Sequence, residues 1–210
     1  MAYSSERHSR RSLRLPAYDY SWPGAYFVTV CTKQRRCLLG AIREGRLVLN
    51  EAGSTVYRAW TGLAERWPQY VLDAFVVMPN HVHAVLMLGS DTGVTLGEVV
   101  RRLKAASTLL IHHQGLLDFA WQRNYHEHII RSDESLLVIR RYIASNPQMW
   151  PFDVDNPDRV GGSPADLARL AAASCGCRED ELGFLAEYAT NHSGEGRDSS
   201  HPTNRPKHWA

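Results

Sequence analysis

His81 and His83 are separated by one apolar residue, Val82, inside the stretch VLDAFVVMPNHVHAVLML at 71–88. Alternate residues of a strand share a face, so Val82 points one way and the two imidazoles project together the other way. Two imidazoles side by side on a rigid strand make half of a divalent-metal site. A catalytic site needs a third ligand and an open coordination position. Tyr142 and Asn146 are spaced so that a helix puts them on one face. Asn146 could donate an amide oxygen, with Tyr142 one turn earlier beside the metal. A phenol is a poor nucleophile at neutral pH, but a cation that neutralises a scissile phosphate makes its attack feasible, through a covalent intermediate. On spacing alone the pair reads equally well as a packing tyrosine and a helix-terminal asparagine before Pro147. An isolated His-x-His is weak in the same way. Here the preceding Met78-Pro79-Asn80 break, the apolar spacer and the hydrophobic flanks describe a rigid, half-buried site.

The chain has 210 residues, 44% of them hydrophobic and 10% aromatic, with a net charge of +2. That is enough for one domain with a sizeable core and an appendage. With so small a net charge, affinity for nucleic acid must come from local basic clusters. Residues 1–17 form such a cluster, a basic arm with Arg10, Arg11 and Arg14, and lack the apolar run of a secretory signal. Cys31, Cys37, Cys175 and Cys177 without a signal peptide argue for a reducing cytoplasm. No apolar run is long enough for a membrane span. The spacing within Cys175-Gly176-Cys177 is too close for the usual zinc pair.

Strands are predicted at Ala25–Thr32, at 46–50, on either side of Met78-Pro79-Asn80 as an antiparallel pair, and at Trp121–Arg131. A helix capped by Asn50 runs to about Trp67. Thr95 with Glu98 opens a second helix to about His113, whose histidines suit its C-terminal end. Ser132 caps a third helix, with Asn146-Pro147 stopping it. Residues 152–163 read as a linker, with short helices at 164–173 and 179–190 and a polar tail beyond. The pattern is α+β, a ferredoxin-like central antiparallel sheet of four to five strands with packed helices. The expected division is an arm at 1–17, a domain at 18–150, and a linker and partly disordered tail at 151–210.

Four segments in this order resemble one family: GAYFVTVCT (24–32), VVMPNHVHAVL (76–86), WQRNYHEHIIR (121–131) and RRYIASNPQMW (140–150). Together the chain from 18 to 150 resembles the REP-associated tyrosine transposases, single-tyrosine members of the HUH single-strand DNA endonucleases. The resemblance implies the HUH fold and a metal-dependent enzyme that cleaves and rejoins single-stranded DNA at palindromic, REP-like hairpins. It places the metal-holding histidines at His81 and His83, the third ligand at Asn146, and the nucleophile at Tyr142, which would form a 5′-phosphotyrosine and release a 3′-hydroxyl. Related single-tyrosine transposases often carry Gln where Asn146 stands. The group implies a monomer, with a dimer sharing the tyrosine helix as the alternative.

Tyr125 competes as nucleophile because His126 and His128 are close in sequence. On the predicted strand Tyr125 and His128 point to opposite faces, which favours Tyr142. His126 or His128 would then line the site or contact DNA. With two imidazoles and an amide oxygen, Mg²⁺ or Mn²⁺ suits phosphate chemistry, with Zn²⁺ and Co²⁺ as further candidates. Phosphate contacts are expected among Arg10, Arg11, Arg14, Lys33, Arg35, Arg36, Arg101, Arg102, Lys104, Arg140 and Arg141. Trp22, Tyr18, Tyr20 and Trp121 are candidates to stack on unpaired bases, with core packing the competing role. Two other functions fit the same residues: a DNA-binding regulator that does not cleave, and a metal-dependent nuclease that uses water.

Overall fold

The computed structural model describes residues 24–89, 93–161 and 163–183. Strand β1 (Gly24–Cys31) is buried along nearly its whole length and occupies an interior position in the sheet. It pairs antiparallel with β5 (His81–Leu88) on one side and β6 (His126–Ile130) on the other. Strand β4 (Tyr70–Val77) pairs antiparallel with β5, so the order is β4-β5-β1-β6. Helix α1 (Glu51–Arg66) lies between β1 and β4, and α2 (Leu96–His113) between β5 and β6. This βαββαβ succession with that strand order is the ferredoxin-like arrangement, with four strands in the sheet. A hairpin, β2 (Gly40–Arg43) and β3 (Arg46–Leu49), is inserted before α1. Helices α3 (Asp133–Met149) and α4 (Pro164–Cys175) follow β6.

Period-two alternation divides the strands between two cores. Tyr26, Val28 and Val30 of β1 and Val82, Ala84 and Leu86 of β5 join Val56, Trp60 and Leu63 of α1 and Val99, Val100 and Leu103 of α2. Phe27, Val85 and Ile130 join Leu136, Ile139 and Ile143 of α3, with Ala171 and Ala172 of α4. The face of β5 that carries His81 and His83 is therefore covered by α3. Both histidines are fully buried, at 0% and 1% exposure.

The three expected caps are formed. Asn50 accepts from the Gly53 amide, Thr95 from Glu98 and Ser132 from Ser135. The carboxylate of Glu98 bonds Arg101 and Arg102.

Two local expectations are corrected and two are sharpened. The strand expected at 121–131 is ordered as a strand only at 126–130, with Trp121 making one isolated bridge to Thr32. Lys104 Nζ binds the successive carbonyls of Gln122, Arg123 and Asn124 at 2.9, 3.2 and 3.0 Å. Three consecutive carbonyls converging on one ammonium cannot alternate along a ladder. Pro147 does not stop α3, which continues to Met149. It removes one helical hydrogen bond, and the last turn tightens so that Trp150 N–H bonds Pro147 O. The weak strand at 46–50 has a partner, β2, joined through Glu44 and Gly45 at φ of 51° and 71°. Two positive φ values give the tight turn that matches strand twist. Of the helix expected at 179–190, the described residues show a 3₁₀ turn at Glu179–Leu182 running into helical Gly183, and residues 184–190 lie outside the described residues.

Gly53 shows how closely the hairpin and α1 meet. A Cβ there would lie 1.9 Å from Leu39 O, whereas one at Gly62 of the same helix meets nothing within 4 Å. Gly53→Ala is expected to destabilise by about 2 kcal/mol or more. Gly62→Ala should stabilise by roughly 0.5–1 kcal/mol by restricting the unfolded chain. Urea denaturation of the two variants checks the opposite signs.

Candidate functional site

The β1–β5 register sets Thr29 opposite His83 and Cys31 opposite His81. On its other edge β1 sets Thr29 opposite His126. Directly paired residues of an antiparallel ladder share a face, so His83, Thr29 and His126 form a row across three strands. Helix α3 crosses this face. The Tyr142 hydroxyl lies 3.4 Å from His83 Nε2, and its ring meets Phe27 edge-on at 6.2 Å. Asn146, one turn on, is buried to 1% exposure. Among the described residues its Oδ1 has no hydrogen-bond partner.

The chain then turns back over the site. After a 3₁₀ turn at Trp150–Phe152, Asp153 Oδ2 lies 3.8 Å from His81 Nε2. Asp155, fully buried, forms an ion pair with Arg35, its Oδ1 2.6 Å from Nε. The two histidine Nε2 atoms are 3.1 Å apart. Ligand atoms of His81, His83 and Asp153 all lie within 4.8 Å of one another. Two imidazole nitrogens, one carboxylate and a nearby buried amide oxygen without a partner suit a divalent cation. The outer ring nitrogens are held as metal-binding histidines usually are, His81 Nδ1 by Asn80 Oδ1 at 2.9 Å and His83 Nδ1 by Thr29 Oγ1 at 2.8 Å.

Burial governs the electrostatics. It holds the His83 imidazole well below its ordinary pKa, and His81 and His126 push the same way while Asp155 opposes. It raises the Tyr142 phenol well above its ordinary value, aided by the charge of Asp153 and opposed by a hydrogen bond with the Asn146 side chain. It also raises Asp153, with Asp155 beside it, to about 8.

The structure brings His81, His83, Tyr142 and Asn146 together. Tyr125 lies elsewhere, packed against the core formed with α1 and α2, with Lys104 5.5 Å from its ring centre. It precedes β6, so the strand geometry expected to set it against His128 does not apply. His126 and His128 pair with Thr29 and Phe27 and share the His83 face. Trp121 is buried, its indole N–H donating to Ser107 Oγ at 3.0 Å. Several basic candidates already have acidic partners: Arg36 with Asp118, Arg101 and Arg102 with Glu98, and Arg140 with Asp73. Lys33 and Arg141 are exposed. Arg10, Arg11, Arg14, Tyr18, Tyr20 and Trp22 lie outside the described residues.

Asp153, Asp155, Asn80 and Thr29 were not singled out from the sequence. Residues 152–163 were expected to be a linker, yet Asp155 and Asn156 are 1% and 8% exposed. The Asp-x-Asp spacing immediately after a helix that carries a tyrosine was the available signal. Its Asn- and Pro-rich surroundings gave it the composition of a loop.

The family model for IS200-like transposases matches residues 21–146, and the chain belongs to that family. It is therefore a transposase-type enzyme acting on DNA. An uncharacterized protein of Haemophilus influenzae is 36% identical over 171 residues, 72% of this chain and 95% of that one. Two solved structures are also similar. A REP-associated tyrosine transposase bound to a REP hairpin has a TM-score of 0.49 and 25% identity, over 65% of this chain and 73% of that chain. A candidate transposase from Deinococcus radiodurans has a TM-score of 0.42 and 20% identity, over 62% and 95% respectively.

Asp153 gives the metal-free protein a pH signature. Its folded pKa of about 8 lies above the ordinary carboxylate value of 3.8. Between those values the folded state holds the proton and the unfolded state does not, so Asp153 makes stability fall as pH rises. Asp153→Asn should flatten that slope, measured as denaturation midpoints in EDTA across the same range. An unchanged slope would place Asp153 in a solvated, ordinary setting.

Proposed function

We propose that this protein cleaves and rejoins single-stranded DNA through Tyr142. The supporting observation is the Tyr142 hydroxyl 3.4 Å from His83 Nε2, in a buried cluster that includes His81 and Asp153. The phenolic oxygen attacks the scissile phosphorus and the bond to the 3′-oxygen breaks. The phenol loses a proton and the departing 3′-oxygen gains one, leaving a 5′-phosphotyrosine and a free 3′-hydroxyl. The phosphoester is conserved as a protein linkage, so a 3′-hydroxyl can reverse the step and rejoin strands.

His81, His83 and Asn146 would hold a divalent ion, Mg²⁺ or Mn²⁺, and Asp153 adds a carboxylate to that set. When bound, the ion supplies the positive charge that neutralises the phosphate and favours the phenolate. The protein orients Tyr142 by its helix, by Phe27 and by Asn146, and excludes water by burial. Exclusion of water favours attack by the phenol over hydrolysis.

Hairpin DNA of the REP-like type is the proposed substrate, on the strength of the four sequence segments that resemble that group. Lys33, Arg36 and Arg141, with the arm residues Arg10, Arg11 and Arg14, are proposed phosphate contacts. Tyr142 reaches the histidines of its own chain, which supports a site complete in a monomer. Among the described residues no helix is long and apolar enough to cross a membrane, and a DNA substrate fits action in the cytoplasm.

The test mixes the protein with hairpin-flanked single-stranded DNA and Mn²⁺ and resolves the products on a denaturing gel. A covalent adduct is expected with the native protein and with Tyr125→Phe. Tyr142→Phe should reduce adduct by at least about a thousandfold, since the nucleophile itself is lost. EDTA should abolish it. An adduct that survives Tyr142→Phe would sink the assignment; cleavage without an adduct would indicate water as nucleophile; binding alone would indicate a regulator.

A further inference from the structure

The two histidines are held by chemically different partners. Asn80 is fully buried, with 0% exposure. Its Nδ2 donates to Arg35 O at 2.9 Å and to Asp155 O at 2.6 Å. Both are backbone carbonyls, which only accept, so the orientation of the amide is fixed by its surroundings. Asn80 Oδ1 therefore faces His81 Nδ1, at 2.9 Å. An amide oxygen cannot donate, so His81 Nδ1 must carry a proton, and the neutral ring then presents an unprotonated Nε2 to His83.

Thr29 imposes no such choice. Its hydroxyl, 2.8 Å from His83 Nδ1, can donate or accept. The Nε2 atoms of the two rings are 3.1 Å apart, and two facing lone pairs at that distance repel unless a proton or a cation lies between them. Without a cation, the consistent arrangement has Thr29 donating to His83 Nδ1 and His83 Nε2–H donating to His81 Nε2. With a cation between the rings, both Nε2 atoms must be unprotonated. The His83 proton then sits on Nδ1 and the Thr29 hydroxyl turns to accept it. Burial disfavours a doubly protonated His83 in either state.

We propose that Asn80 is a positioning residue that presets His81 for metal, while His83 changes tautomer against Thr29 when metal binds. This rests on the proposed metal-holding role of the pair, but the preset tautomer of His81 exists before any metal arrives. Asn80 has a second consequence. Its bond to Asp155 O ties down the strap that carries Asp153, so one side chain orients both a nitrogen and a carboxylate of the same cluster.

The experiment is a two-bond ¹H–¹⁵N correlation spectrum of the histidines in the full ¹⁵N-labelled chain, first in EDTA and then with diamagnetic Zn²⁺ or Mg²⁺. Metal-free protein should show His81 protonated on Nδ1 and His83 on Nε2, and metal should move the His83 proton to Nδ1 without changing His81. An Nε2–H tautomer at His81 in EDTA would overturn the proposal, whatever the variants do. Asn80→Ala should give mixed tautomers at His81 and weaken Mn²⁺ binding by about 10–100-fold in calorimetry. Asn80→Asp, which keeps an acceptor on Nδ1–H but loses the two amide donors, should restore the proton on His81 Nδ1. Native tautomers and Mn²⁺ affinity within about twofold of native in Asn80→Ala would reduce Asn80 to packing and overturn it too. Failure of the native protein to bind metal, with His81 preset as described, would count against the metal-holding role and leave the preset standing.

Discussion

Cys31 lies opposite His81, and Thr29 opposite His83, across the β1–β5 ladder. A slip of one residue in that pairing would turn both imidazoles into the apolar core under α1 and α2. The pairing is held by what flanks it, since a one-residue slip would also take Val82 and Ala84 out of the core they share with Val28, Val30, α1 and α2. The same hydrophobic alternation that makes the core therefore aims the polar groups. Helix α3 packs on the opposite face through Leu136, Ile139 and Ile143, and that packing delivers Tyr142 above His83.

Burial has an electrostatic cost that the site meets with pairing. Asp155 is fully desolvated and is matched by Arg35. Asn80 has its two amide hydrogens satisfied by carbonyls and its oxygen by His81. Several strained groups converge on one point: close Nε2 atoms, a carboxylate with a raised pKa, a phenol that resists ionisation, and an amide oxygen without a partner among the described residues. Each favours a positive charge at that point. Unsatisfied groups scattered through a core would only destabilise it, whereas a convergent set prepares for a cation.

Much of the fold was legible because local signals and tertiary structure agree. Val82 between two histidines predicted their shared face, and Asn50, Thr95 and Ser132 predicted three helix starts. Tyr142 and Asn146 were legible as a helix pair; that the helix lies over the histidines was not, because helical spacing carries no long-range direction. Residues 122–125 were misjudged because an ammonium from another element, Lys104, organises their carbonyls. Pro147 was misjudged because propensity describes an isolated helix, while α3 is held by the sheet and α4. The aspartates after α3 were missed because loop composition says nothing of where a loop packs.

The order of these groups along the chain has a consequence for synthesis on the ribosome. β1, β4 and β5, with both histidines, emerge before α3, and the strap with Asp153 and Asp155 emerges after it. A nascent chain can pair β1 with β5 while the groups that complete the cluster are still unmade, since domains form as their segments appear. Tyr142 and the carboxylate that closes over it arrive within a dozen residues of each other. Nucleophile and cover are thus produced almost together, and over residues 83–141 the growing chain contains the histidines without the tyrosine.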